Sequence, residues 1–134
     1  FVGTVRTLSD EQVANEYDAL FGGVGKPEVY LFGSFYLSGF LNEKPLAALR
    51  GDLAALGLAR DEAMPETEDH FACVCEVMRY LIAGDEFFGA HVQTWVPAMC
   101  DAITAHHKAK FYAALAAFTA AFVSVETLGF DLMG

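Results

Sequence analysis

Basic residues are scarce in this sequence: eight lysines and arginines stand against 18 aspartates and glutamates, a formal net charge of −10 over 134 residues. A field of that sign repels nucleic acid and anionic lipid and draws in basic ligands, although solubility alone is an ordinary reason for acidity. Cysteine is sparse and odd in number. Cys73, Cys75 and Cys100 all lie in apolar, helix-like stretches, which suits buried thiols in a reducing compartment rather than a disulfide framework. No run alternates apolar with polar residues over strand length and no hairpin signal occurs, so no sheet is expected. No apolar run reaches bilayer length either. The longest, "FYAALAAFTAAFVSV" from Phe111 to Val125, is bounded by Lys110 and Glu126 and falls short of the roughly 18–20 residues a bilayer needs, so no stable membrane insertion is expected. The start, "FVGTVRTLSD", has neither an initiator Met nor the basic segment and apolar run of a secretory signal.

What the sequence has in excess is apolar surface. Apolar residues make up 54% of the chain, Phe occurs 12 times and the mean hydropathy is +0.33, a surplus that demands a large core, a groove or a partner. A chain of this length is expected to form one domain, residues 1–134, which on folding buries roughly two-thirds of the surface its unfolded form exposes.

Helical signals recur along it. Ser9 with Gln12 is a capping-box pattern ahead of "DEQVANEYDALF", which runs until Gly22 and Gly23. A glycine-rich stretch with Tyr30, Phe32, Phe35 and Tyr36 follows, read as a loop and then an irregular or short helical segment. In "NEKPLAALRGDLAALGL", Asn42 is placed to cap, Pro45 sits in the first turn, and Leu46, Leu49, Leu53 and Leu56 recur at helical spacing before Gly57. A third helix is expected from Thr67 or Asp69 to Ala83, with Phe71, Val74, Met78 and Leu81 on one side, Glu76 and Arg79 away from it, and Gly84 as its stop. A fourth runs from near Glu86 to His106, with Pro97 marking a kink or a late start. The last spans about Lys108 to Glu126, with Phe111, Leu115, Phe118 and Phe122 along one side and many alanines that permit close approach. The fold class is all-α.

Chemistry-bearing motifs are few. "GGVGKP" at Gly22 to Pro27 lacks the outer glycine, the preceding strand and the hydroxyl after lysine that a phosphate loop needs. Glu66, Asp69, His70, His91, His106 and His107 are the candidate metal ligands, but no helix carries a Glu-x-x-His unit, and Cys73 and Cys75 diverge by about 200° on a helix. Ser9, Ser34, Ser38 and Ser124 have no nucleophile-elbow context, so neither an enzyme, nor a metal, nor a cofactor is expected.

The most informative stretch is "ETEDHFACVCEVMRYLIAGD", which packs Glu66, Glu68, Asp69 and His70 at the mouth of the third helix. Acids in a first turn are favoured by the helix dipole, and Thr67 or Asp69 can cap. His70 fits that account badly as a cation, although a neutral imidazole accepts a hydrogen bond. Carboxylates beside such an acceptor also make a seat for guanidinium. Capping and cation binding both stand at this point.

The same residues carry a family resemblance. Glu66, Asp69 and His70 resemble the E-P-x-D-H signature of the TorD/DmsD family of cytoplasmic chaperones for molybdopterin oxidoreductases, with Thr67 at the family's usual Pro. "EYDALFGGVGKP" is similar to its Y-x-x-L-F and glycine loop, "FGSFYLSG" to its W-G-S-V-Y-L segment with Phe32 for Trp, "FFGAHVQTWVPAMCDAI" to its H-x-x-P-W stretch in altered order, and "FYAALAAFTAAFVSVE" to its closing helix. The likeness spans roughly residues 16 to 126.

The resemblance implies a compact helical bundle of the TorD-like type, represented here by about its C-terminal two-thirds without the N-terminal helices. It implies a cytoplasmic, non-catalytic chaperone that binds the twin-arginine signal peptide of the apo form of a molybdopterin oxidoreductase until the cofactor is inserted. Carried over residue by residue, the peptide-binding surface comprises Phe32, Ser34, Tyr36, Glu66, Asp69 and His70, with Phe32 and Tyr36 lining an apolar groove. The alternative is an all-helical homodimeric interaction module without leader binding, its uncovered core surface masked by helix exchange between two chains.

Overall fold

The computed structural model describes residues 7–23, 25–41, 43–81 and 84–133. Among them there are seven helices, α1 (Asp10–Phe21), α2 (Gly33–Ser38), α3 (Lys44–Ala55), α4 (Phe71–Tyr80), α5 (Asp85–His91), α6 (Val96–Ala105) and α7 (Phe111–Met133), and the only β feature is an isolated bridge between Phe32 and His70. The all-α expectation holds. The chain groups into two units by its internal contacts, Leu31–Val96 on one hand and Phe1–Tyr30 with Pro97–Gly134 on the other.

Local sequence signals explain most boundaries in the Leu31–Val96 unit. Helix α3 buries Leu46, Leu49 and Leu53 of the expected stripe, whereas Leu56, at its C-cap, is exposed, and Pro45 occupies its first turn, where no helical N–H is needed. The assignment of Asn42 as its cap falls outside the described residues; the capping position is Glu43, whose side chain makes no capping bond. Helix α2 closes on Gly39, whose φ of 82° is left-handed, a conformation that favours glycine. Helix α4 is shorter than expected at both ends. It starts at Phe71 because His70, not Thr67 or Asp69, is its N-cap, and it is capped at Leu81; Ile82 and Ala83 lie outside the described residues. Gly84 therefore does not stop α4 but leads into α5. Of the expected stripe on α4, Val74 is fully buried and Phe71, Met78 and Leu81 are half-buried, whereas Glu76 and Arg79 are exposed and pair with each other at 2.9 Å.

Pro97 marks a late start rather than a kink. Residues 92–95 form a turn after α5, and α6 begins at Val96 with Pro97 as its second residue.

In the other unit, the capping box forms as read: Ser9 accepts from Gln12 N, and the Gln12 side chain accepts from Ser9 N. Leu20, Val29, Met99, Cys100, Ile103, Ala116 and Val123 are its buried apolar residues. Glu16 on α1 accepts hydrogen bonds from the backbone N–H groups of Lys110 and Tyr112, so a carboxylate from a distant helix satisfies the start of α7. Tyr17, Phe21 and Tyr112 form an aromatic triad with ring centroids 5.1–5.8 Å apart.

Helix α7 departs from the sequence reading in its length. It continues through Glu126 to Met133, so residues 111–129 are, by length and composition alone, sufficient to cross a membrane, and the length argument drawn from a run ending at Val125 does not hold. The packed side of α7, which the sequence left open, is not the one through Phe118 and Phe122. Phe118, Phe122, Val125 and Leu128 are each more than half exposed, and Ala116 and Val123 are buried instead.

Candidate functional site

Two segments far apart in sequence are joined edge to edge. Gly33 N donates to Asp69 O at 3.0 Å and Phe71 N donates to Leu31 O at 2.8 Å, which places Phe32 opposite His70 as a one-residue antiparallel bridge. The Phe32 and His70 rings meet edge to face at 5.0 Å. The FGSFY segment and the acidic segment thus form a single structure.

Asp69 is the inner tie of that junction. Only 4% exposed, its Oδ2 accepts from Ser34 N at 2.9 Å and from Ser34 Oγ at 2.5 Å, and its Oδ1 accepts from Thr67 Oγ1 at 2.6 Å. Ser34 is itself buried and lies in the first turn of α2, so Asp69 satisfies an open N–H of α2, not of the helix that follows it in sequence. A carboxylate used in this way holds the two segments together and is not offered to solvent.

His70 resolves the difficulty that the sequence posed. Its Nδ1 accepts from Ala72 N at 3.1 Å, which requires that nitrogen to be unprotonated, and burial holds its pKa below the usual histidine value, with Glu66 and Asp69 pulling weakly the other way. A neutral imidazole caps α4 without opposing its dipole.

Glu68 does seat guanidinium, but its partners are within the chain. Arg50 on α3 forks onto it, Nε to Oε2 at 2.7 Å and Nη2 to Oε1 at 3.1 Å, and Arg60 Nε lies 3.7 Å from Oε1. The Arg50 guanidinium holds the Glu68 carboxyl below its ordinary range against the opposing effect of burial. Glu66 is half-buried, and among the described residues nothing donates to its carboxylate. Of the expected site residues, then, Glu66 and His70 keep a solvent-facing side, while Ser34 and Asp69 are turned inward.

The aromatic groove takes a different form from the one expected. Tyr36 stacks on Trp95 with centroids 5.9 Å apart, Phe71 meets the same indole edge to face, and the space beside Gly33, Ser34, Asp69 and Trp95 is only about 10 Å³. Tyr36 is a half-buried piece of that filled cluster, and Phe32, also half-buried, packs on the His70 ring. Open apolar space lies elsewhere: a cavity of about 270 Å³ lined by Leu53, Leu58, Met64, Cys73, Val77 and Tyr80, with Arg60 and Glu68 on its wall. A second cavity, of about 410 Å³, is walled by Leu56, Leu81 and Phe87 together with the acids Asp52, Asp85 and Glu86. Asp52 there contacts buried His91, Oδ2 to Nε2 at 2.6 Å.

Sequence reasoning missed Trp95, Arg50 and Arg60 as parts of this region. The altered Trp-Pro order was a signal for Trp95. Arg50 is on a leucine-striped helix, 18 residues away from Glu68, and no local spacing pairs the two. The cysteines are partly as expected: Cys73 and Cys100 are buried and Cys75 is exposed. Burial pushes the Cys73 thiol up and the Cys100 thiol up to about 11, so both stay protonated at neutral pH.

Comparison with known proteins bears on the whole chain. The sequence profile described as nitrate reductase delta subunit matches residues 1–124. Curated relatives named Chaperone protein TorD, from strains of Vibrio cholerae serotype O1, are similar to it: two are 25% identical over 148 residues, covering 93% of this chain and 67% of the relative. Another is 25% identical over 133 residues, covering 86% of this chain and 60% of the relative. The chain thus spans three-fifths to two-thirds of the length of these relatives. No solved structure matches it significantly.

Proposed function

The chain belongs to the nitrate reductase delta subunit family, the TorD family, and from that membership we propose that it acts as a cytoplasmic chaperone which binds the twin-arginine signal peptide of a molybdopterin oxidoreductase and holds it until cofactor insertion and folding are complete. The observation that carries this reading is the junction of Phe32 with His70 and of Ser34 with Asp69. It gathers the two segments that carry the family resemblance into one surface, with the Glu66 carboxylate beside it. Within that surface the roles divide. Ser34 and Asp69 position the segments, Phe32 anchors on His70 and Tyr36 on Trp95, and Glu66 and His70 meet the ligand. An acidic chain with apolar cavities suits a peptide that is basic at one end and apolar after it.

The test is a titration of a fluorescent leader peptide against a copy in which both arginines are glutamine. The arginine peptide binds more tightly, its advantage shrinks with added salt, and Glu66→Gln weakens it more than Glu11→Gln on α1. Equal affinity for the two peptides overturns the reading.

A second reading, a homodimeric interaction module, is favoured by the exposed stripe Phe118, Phe122, Val125 and Leu128 on α7. Sedimentation over a concentration series distinguishes it: a concentration-dependent dimer that ignores the leader peptide supports the module alone.

A further inference from the structure

The loop between α3 and α4 is pinned by arginines converging on its acidic end. Arg50 reaches Glu68 from α3, in the forked arrangement by which carboxylates recognise guanidinium. Arg60 belongs to the loop itself, flanks the same carboxylate, and donates through Nη1 to the backbone carbonyls of Met64 at 3.1 Å and Glu66 at 3.2 Å. The Glu68 side chain is only 11% exposed, so one carboxylate is taken up by two guanidiniums of its own chain. The apolar cavity of about 270 Å³ lies against this cluster. Leu58 and Met64 in its wall come from the pinned loop, whereas Leu53 comes from α3 and Val77 and Tyr80 from α4. Holding the loop and shaping the cavity are therefore one event.

We propose that Arg50 and Arg60 are an internal stand-in for the paired guanidiniums of the ligand. In the resting state they latch the loop on Glu68. A peptide carrying adjacent arginines followed by apolar residues releases the latch by replacing Arg50 on Glu68 and laying its apolar residues along the cavity. The inference rests on the leader-binding reading above. Two observations favour such a ligand over an uncharged apolar one: the carboxylate is already in guanidinium-binding geometry, and Glu66, two positions away, has a carboxylate to which no described residue donates. Arg50 is half exposed, so its guanidinium returns readily to water as the ligand's takes its place on the same carboxylate, and the like-for-like exchange costs little. A latch of this strength disfavours ligands that lack arginine by only a few-fold and yields to those that have it.

The test is peptide binding by fluorescence anisotropy at low salt, using full-length protein and a peptide with two adjacent arginines ahead of an apolar segment. Arg50→Gln is compared with Lys44→Gln, the same charge change on the same helix six residues away. Arg50→Gln tightens binding about two- to fivefold, Lys44→Gln by clearly less, and the gain disappears when Glu68→Gln is also present. Amide exchange over residues 58–68 quickens in Arg50→Gln without peptide and in wild type with it. Equal tightening by Arg50→Gln and Lys44→Gln, or a gain that survives Glu68→Gln, overturns the latch and leaves leader binding standing. Failure of the wild type to prefer the arginine peptide over its glutamine copy overturns both.

Discussion

Gly33 lies against the indole of Trp95 so closely that a Cβ on it would stand 2.9 Å from both Cε2 and Nε1 of the ring. The indole has little freedom to yield. Trp95 is buried, its Nε1 donates to His91 O at 2.6 Å, and Tyr36 stacks on it. Gly33→Ala is expected to destabilise the protein by about 1–3 kcal/mol, the usual cost of overpacking a filled core. A urea midpoint unchanged by this substitution would show that the contact is not tight.

The division of the acidic segment into positioning and ligand-facing residues predicts two different mutational signatures. Asp69→Ala strips a buried hydroxyl and a buried N–H of their acceptor and leaves Thr67 Oγ1 without its partner, so it costs about 2–4 kcal/mol. Glu66→Gln touches no described hydrogen bond of that side chain and changes stability by no more than about 0.5 kcal/mol, while weakening the leader peptide. Urea unfolding of the two variants side by side checks this. If Asp69→Ala unfolds at the same midpoint as Glu66→Gln, the buried tie is not formed.

How much of this was legible in the sequence depends on the range of each interaction. The Ser9 capping box, the Leu46, Leu49 and Leu53 stripe and the effect of Pro97 are set by residues within a turn or two, and each forms where the sequence places it. Asp69, one of the residues able to cap the helix after it, serves α2 instead; its partner, Ser34, is 35 residues away and no local pattern encodes that pairing. The same applies to Glu16 at the start of α7. For His70 the residue type leaves both charge states open, and the neutral acceptor is the one that forms, because burial disfavours the cation. On α7 the difficulty is degeneracy. A helix apolar nearly all round has no unique periodic face, so neither the phenylalanine side nor the alanines that permit close approach could be singled out, and the smaller side chains took the packed side.

His70 gives the protein a pH-dependent element with a definite sign. Its folded-state pKa lies below the ordinary value of 6.5, so between the two the unfolded chain binds more protons than the folded one. Stability is therefore full above about pH 6.5 and declines as pH falls through that value toward the folded pKa, where protonation also removes the Nδ1 acceptor from Ala72 N. His70→Asn keeps a side-chain acceptor at the cap and removes the titration, so its urea midpoint changes less than that of wild type between pH 7.5 and 5.5. Parallel pH profiles for the two proteins would remove His70 as the cause.

The exposed stripe of α7 makes a prediction opposite to the one that side-chain size alone would suggest. If Phe118 and Phe122 were the packed side, trimming either would open a cavity costing several kcal/mol, and Val123→Ala would be mild. With Val123 buried and both phenylalanines more than half exposed, the order reverses. Val123→Ala costs about 1–3 kcal/mol in the 134-residue chain, while Phe122→Ser lowers stability by no more than about 0.5–1 kcal/mol and raises solubility. Measured at low protein concentration, the two urea midpoints separate the faces. Repeating the Phe122→Ser measurement at high concentration adds a further reading: a cost that appears only there means that α7 is covered by a second copy, whereas the same small cost at both means that no copy covers it.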